Sequence, residues 1–146
     1  MDGVDLKVIC LLQMDGRASN ANIARELGVS EGTVRRRIRR LIHEDVIKIT
    51  ALPSLEKLGY ATTALIGQKT QPGKADDVAE TLPAFDEVHY VDVTTGAYDV
   101  FLWVALGSAE SLGTFLYNKI AAIEGMQRTE TFVNLAIKKR TYGVSL

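Results

Sequence analysis

Over the first fifty residues the apolar positions recur at helical spacing. Val34, Ile38, Leu41 and Ile42 stand at i, i+4, i+7 and i+8 and share one face of a helix starting at Ser30 and running to His43. Upstream, Asn22–Leu27 reads as a short helix that Ser19 or Asn20 can cap, with Gly28 suited to the left-handed conformation that ends it. A further helix spans about Asp5 to Met14, built on Val4, Ile9 and Leu12, and Asp15-Gly16 turns the chain after it. Ala24 is small enough for two helices to cross closely, and Ile23, Leu27, Val29, Val34 and Ile38 are the expected shared core. A short helix, a turn of about three residues and a second helix are the sequence form of a helix-turn-helix.

Beyond residue 45 the rhythm changes. Val46–Leu52 is rich in β-branched residues and is expected to be a strand, and Pro53–Gly59 a turn or single helical coil. Then follow a strand over Tyr60–Thr70 and a helix over Lys74–Leu82. A strand over Glu87–Thr94 is expected to put His89, Val91 and Val93 on one side. Next come a strand over Tyr98–Leu106, a helix from Ser108 to about Glu124 and a last strand over Gln127–Lys138. The order βαββαβ is that of a ferredoxin-like sandwich, two helices on one face of an antiparallel sheet. The expected fold is therefore α+β, an N-terminal three-helix, winged-type helix-turn-helix domain followed by that sandwich. Its divisions are 1–47 for the helices, 48–59 for a connecting strand and hinge, and 60–146 for the sheet domain. Tyr98–Leu106 is apolar on both faces, which implies that something covers the open side of the sheet; a second copy of the chain is the economical choice.

Charge sharpens this picture. The whole chain carries −1, but residues 1–50 hold nine Lys/Arg against seven Asp/Glu, and residues 51–146 eight against eleven. The basic excess is thus confined to the helical part, which suits a polyanion. Rotation by 100° per residue sets Gly32, Thr33, Arg36, Arg39 and Arg40 opposite the apolar face, with Arg35 on one flank. Arg37 lies on the other flank, beside the core face, where an intramolecular bond is expected. By the usual docking, the N-terminal part of such a helix enters the major groove of double-stranded DNA. Ser30, Glu31, Gly32, Thr33, Arg35, Arg36, Arg39 and Arg40 are the candidate contacts. Arginine can grip guanine O6 and N7 with two bonds, Glu31 can accept from cytosine, and Gly32 permits close approach.

Other chemistry is thinly supplied. No apolar stretch approaches the roughly 20 residues that cross a bilayer, and the N-terminus lacks the pattern of a signal peptide, so no membrane and a cytoplasmic location are expected. Cys10 sits among Ile9, Leu11 and Leu12 as a small core residue. His43 and His89 are far apart and lack a Cys partner at ligand spacing, so no metal site, and no cofactor, is expected.

Taken together, Asp15-Gly16-Arg17-Ala18-Ser19-Asn20, Ile23 through Ser30, Val34 with Arg37-Ile38 and Leu41, Lys57-Leu58-Gly59 and Thr95-Gly96-Ala97-Tyr98-Asp99 carry a resemblance over essentially the whole chain. The sequence resembles the Lrp/AsnC, or feast/famine, family of transcription regulators. One departure is Asp45, where the family usually has Gly; a modest cost to the helix cap is expected there. The resemblance implies a DNA-binding regulator, not an enzyme, that dimerises through its sheet domains and often assembles into octamers. It implies a small effector, commonly an amino acid, near Gly96, Tyr98, Asp99, Thr129 and Thr131. In that reading Asp99 receives an ammonium and the threonine hydroxyls or loop amides meet a carboxylate. Sirohaem decarboxylases share the architecture and are the alternative, but two histidines are thin material for tetrapyrrole chemistry.

Overall fold

In the computed structural model, which describes residues 1–139, Asp2 opens the first helix by accepting from the backbone N–H groups of Val4 and Asp5. Asp5 in turn accepts from the Asp2 N–H, a reciprocal capping box that starts α1, Gly3–Met14, two residues earlier than its apolar spacing suggests. Ser19 caps α2, Asn20–Leu27, and Ser30 caps α3, Glu31–His43. Gly28 adopts φ +67° between them, and the Val29 N–H reaches back to the Ala24 carbonyl, closing the last turn of α2. Val8, Ile9, Ile23, Ala24, Val34 and Leu41 form the buried core of the three helices. Ile42, expected in that core, is instead exposed, since it sits at the edge of the apolar arc. Cys10 is half-buried and free.

Two compact units are present, Met1–Leu52 and Pro53–Lys139. In the first, Val46–Leu52 forms no strand, so no wing strand accompanies the helices among the described residues. A β-branched run becomes a strand only when its N–H and C=O groups find a ladder, and none is offered among the described residues. The Val46 and Ile47 N–H groups bond instead to the Leu41 carbonyl.

The second unit begins with a single helical coil at Glu56–Leu58. Its sheet comprises β1 (Thr62–Thr70), β2 (Val88–Val93), β3 (Val100–Leu106) and β4 (Met126–Val133), with α4 (Ala75–Thr81) after β1 and α5 (Ala109–Asn118) after β3. The order across the sheet is β2-β3-β1-β4 and every neighbouring pair is antiparallel. This is the ferredoxin-like arrangement. Ala64, Ile66, Val100, Leu102 and Val104 pack against Val78, Leu82, Leu112, Phe115 and Ile120 of the helical layer.

Two strand expectations are corrected. A bulge between Val88 and Tyr90 puts Val88 opposite Val104 and Val91 opposite Leu102, so both valines face the core and the simple alternation fails. His89 is left on the other side, 5.8 Å from the Trp103 ring and 6.4 Å from that of Tyr60. The last strand stops at Val133 and not at Lys138, and α5 gives way after Asn118 to a tight turn over Ile120–Ala122. No helix among the described residues is long and apolar enough to cross a membrane. No cluster of metal-ligating residues is found among them either.

Candidate nucleic-acid interface and effector loop

The exposed side of α3 is built from its N-terminus. Ser30 Oγ accepts the Thr33 N–H at 3.2 Å and lies 2.9 Å from Thr33 Oγ1, so both hydroxyls first serve as the helix cap. Glu31 accepts from Arg35 Nη2 at 2.6 Å, one turn along. Both side chains are about half exposed, which makes this a weak and exchangeable surface pair. At Gly32 nothing stands nearer than 4.0 Å to where a Cβ would be, so the helix surface is open there. Arg36 and Arg39 are exposed and have no hydrogen bond or ion pair among the described residues.

The other two arginines are held by α1. Arg37 Nη1 lies 2.7 Å from Asp5 Oδ1 and 2.8 Å from Asp2 Oδ2, the inward bond its helical position predicts. Arg40, counted among the candidate contacts, sends Nη2 to Asp5 Oδ2 at 2.6 Å and Nε toward Glu44 at 3.8 Å. Asp5 is 1% exposed. Burial pushes its carboxyl up, but the Asp2 N–H and the Arg37 and Arg40 guanidiniums outweigh that and hold it at about 2. Asp5 reciprocally raises Arg37. Asp2 and Asp5 are not legible as site residues in the sequence: a D-x-x-D spacing at a helix start signals a cap, and their cationic partners lie more than thirty residues away.

At the sheet domain the loop Thr94–Asp99 is closed by its own bonds. The Thr94 N–H donates to the Asp99 carbonyl at 2.8 Å, Thr94 Oγ1 to the Tyr98 carbonyl at 2.9 Å, and the Asp99 N–H to the Gln68 carbonyl at 2.8 Å. Gly96 is exposed at its tip with φ +112°. The Asp99 carboxylate is already engaged. Oδ1 takes Lys69 Nζ at 2.8 Å, and Oδ2 takes the Thr70 N–H at 2.9 Å and Thr70 Oγ1 at 3.2 Å. The Lys69 ammonium, followed by the Thr70 N–H, holds the Asp99 carboxyl below its usual range. An ammonium arriving from solution would therefore have to compete with Lys69.

The other three expected effector residues do not converge with it. The Tyr98 ring lies over Gly67, with Phe101 at 5.3 Å and Phe132 at 6.2 Å, on the open side of the sheet. Thr129 donates to Gln68 Oε1 at 2.7 Å, and Thr131 is in register with Ile66. These two therefore lie on the opposite side of the sheet, with the buried Gln68 and Ile66. Within one chain the five positions form no single cradle. Lys69, Thr70 and Gln68 tie the loop to β1, and the sequence does not single them out because their roles depend on strand pairing.

Two family models match this chain. The AsnC-type helix-turn-helix domain matches residues 1–42, and the Lrp/AsnC ligand binding domain matches residues 63–144. The chain belongs to the Lrp/AsnC family. An uncharacterised HTH-type transcriptional regulator of Pyrococcus furiosus is 39% identical over 143 residues, 97% of each chain. The solved structure of AsnC from Escherichia coli superposes with a TM-score of 0.89 at 28% identity, covering 97% of each chain. A transcriptional regulator of Neisseria meningitidis in complex with L-Met superposes with a TM-score of 0.91, covering 99% of this chain and 96% of that one. At 22% identity that likeness speaks for the fold alone. This Lrp/AsnC chain is thus a helix-turn-helix transcription regulator with a ligand-binding domain, and its relatives' names do not favour the tetrapyrrole decarboxylase reading.

Proposed function

We propose that this regulator binds double-stranded DNA sequence-specifically through the exposed side of α3, and that a small effector, an amino acid by class, modulates it at an oligomer interface. The observation that carries the DNA reading is the pair Arg36 and Arg39, two guanidiniums facing outward with no internal partner among the described residues, on a helix that follows a Gly28-capped turn. Ser30, Glu31, Gly32, Thr33 and Arg35 complete the surface at the helix start. Two chains joined through their sheets would present two such helices, reading half-sites spaced by about one helical turn, roughly 34 Å.

The open side of the sheet supports the association of chains. Leu65, Tyr90 and Phe132 are large, apolar or aromatic, and more than a third exposed there. Leu65 and Tyr90 are each in register with Trp103 of β3, and Phe132 with Leu65, on a sheet whose other face is core. The effector reading is supported by the ligand-binding family match over this domain and by the position of the Thr94–Asp99 loop at its margin. The Lys69–Asp99 pair favours an effector that displaces Lys69 or engages the loop without using Asp99.

Fluorescence anisotropy on a DNA site selected from a random duplex pool tests the reader. Arg36→Ala is expected to weaken binding and to lower the slope of log K against log salt by about 0.9 for each phosphate it no longer neutralises. An unchanged affinity and slope for both Arg36→Ala and Arg39→Ala would remove this face from the interface.

A further inference from the structure

We propose that Asp5 decides which arginines of the reader helix reach DNA: it withholds Arg37 and Arg40 from the phosphates and leaves Arg36 and Arg39 to meet them. The inference rests on the reading that this side of α3 meets the duplex. Neither aspartate of α1 has a part in that reading, and five closely spaced arginines would otherwise be treated as interchangeable.

Arg37 and Arg40 are one turn apart on the same flank of α3, so one side chain from α1 can meet both. Asp5 does so with separate oxygens, Oδ1 to Arg37 at 2.7 Å and Oδ2 to Arg40 at 2.6 Å. Asp2, on the preceding turn, adds a second carboxylate to Arg37, with Nη1 2.9 Å from Oδ1 and 2.8 Å from Oδ2.

Burial is what makes the withholding durable. Asp5 is 1% exposed, and if Arg40 left for a phosphate, Oδ2 would keep only the Asp2 N–H at 2.9 Å. A buried carboxylate deprived of a cationic partner is strongly disfavoured. A phosphate contact at the surface, by contrast, is screened by salt and gains mainly from counterion release. Arg35 stands in a different position. Its partner Glu31 is about half exposed, so water can replace Arg35 at little cost and the arginine is free to change partners. Arg40 is itself 45% exposed, but the carboxylate it holds is 1% exposed and in its absence would keep Arg37 as its one guanidinium on α3. The five arginines therefore divide into two free (Arg36, Arg39), one exchangeable (Arg35) and two retained (Arg37, Arg40).

The test uses the full chain and a short mixed-sequence duplex, with affinity followed across a range of salt. Arg40→Ala is expected to leave the salt slope unchanged, because its charge is not spent on phosphate. Asp5→Asn is expected to steepen the slope by about 0.9 for each reader helix engaged, as Arg40 is released. The double variant Asp5→Asn/Arg40→Ala should return the slope to that of the native chain. A loss of fold in Asp5→Asn, seen by circular dichroism, would leave Arg40→Ala to decide. A merely structural Asp5 would change the melting temperature without steepening the slope, and that result overturns the proposal. So does an Arg40→Ala slope as low as that of Arg36→Ala. If Arg36→Ala and Arg39→Ala are both without effect while the native chain binds, it is the docking face itself that fails.

Discussion

Gly67 shows how much one missing side chain can decide. A Cβ built there would stand 2.8 Å from Cγ and Cδ1 of Tyr98 and 3.1 Å from Phe101, so the ring can lie on the sheet only because residue 67 has no side chain. Gly67→Ala is expected to displace the Tyr98 ring and to destabilise the sheet domain by about 1–3 kcal/mol, the usual cost of overpacking. Urea unfolding measures it, and an unchanged midpoint would mean that the ring moves freely. Nothing in the local sequence marks Gly67, because its neighbour in space is about thirty residues away. Arg37 is the contrary case. Its helical angle alone places it beside the core face, and the structure puts it on Asp2 and Asp5. The outward direction of Arg36 is legible for the same reason. The Asp99–Lys69 pair is not, since it depends on the Asp99 N–H meeting the Gln68 carbonyl across the end of the sheet.

At the scale of elements, the end of α3 carries an avoidable cost. Asp45 is the one non-glycine residue with a left-handed backbone among those described, at φ +52°. The turn that follows is otherwise well made: the Asp45 N–H bonds to the Ile42 carbonyl and the Val46 N–H to that of Leu41. Asp45→Gly should keep these bonds and remove the steric penalty, stabilising the chain by about 1 kcal/mol. A higher thermal midpoint with an unchanged circular-dichroism spectrum is the expected outcome, and a lower one would assign Asp45 a stabilising contact. Helices are well legible in the sequence because caps and apolar spacing are local properties. Strands are less so. Val46–Leu52 has the composition of a strand but no ladder among the described residues, and the bulge at His89 reverses the side on which that residue sits.

For the whole molecule, the uncovered side of the sheet is the feature that reaches beyond one chain. Phe132 is 45% exposed on the face that carries Leu65 and Tyr98. A charge placed there would be buried by any symmetric pairing of sheets, at a cost association cannot readily meet. Phe132→Asp is therefore expected to shift the mass seen by light scattering toward the single chain while leaving the α-helical signal intact. The same measurement with each of the twenty amino acids tests the effector reading. One of them should change the assembly and, by linkage, the affinity for DNA. If none changes either quantity, the effector is of another class or the regulator works without one.

The sequence by itself determined the helices, their caps, the outward direction of the basic face and the βαββαβ order, because each follows from neighbours within a few positions along the chain. Tertiary structure alone decided which arginines are free, which way Tyr98 and His89 point, and that Asp99 already holds a cation. Those outcomes depend on carboxylates, backbone groups and a glycine brought together from distant parts of the chain, and no spacing rule along the sequence encodes such a meeting.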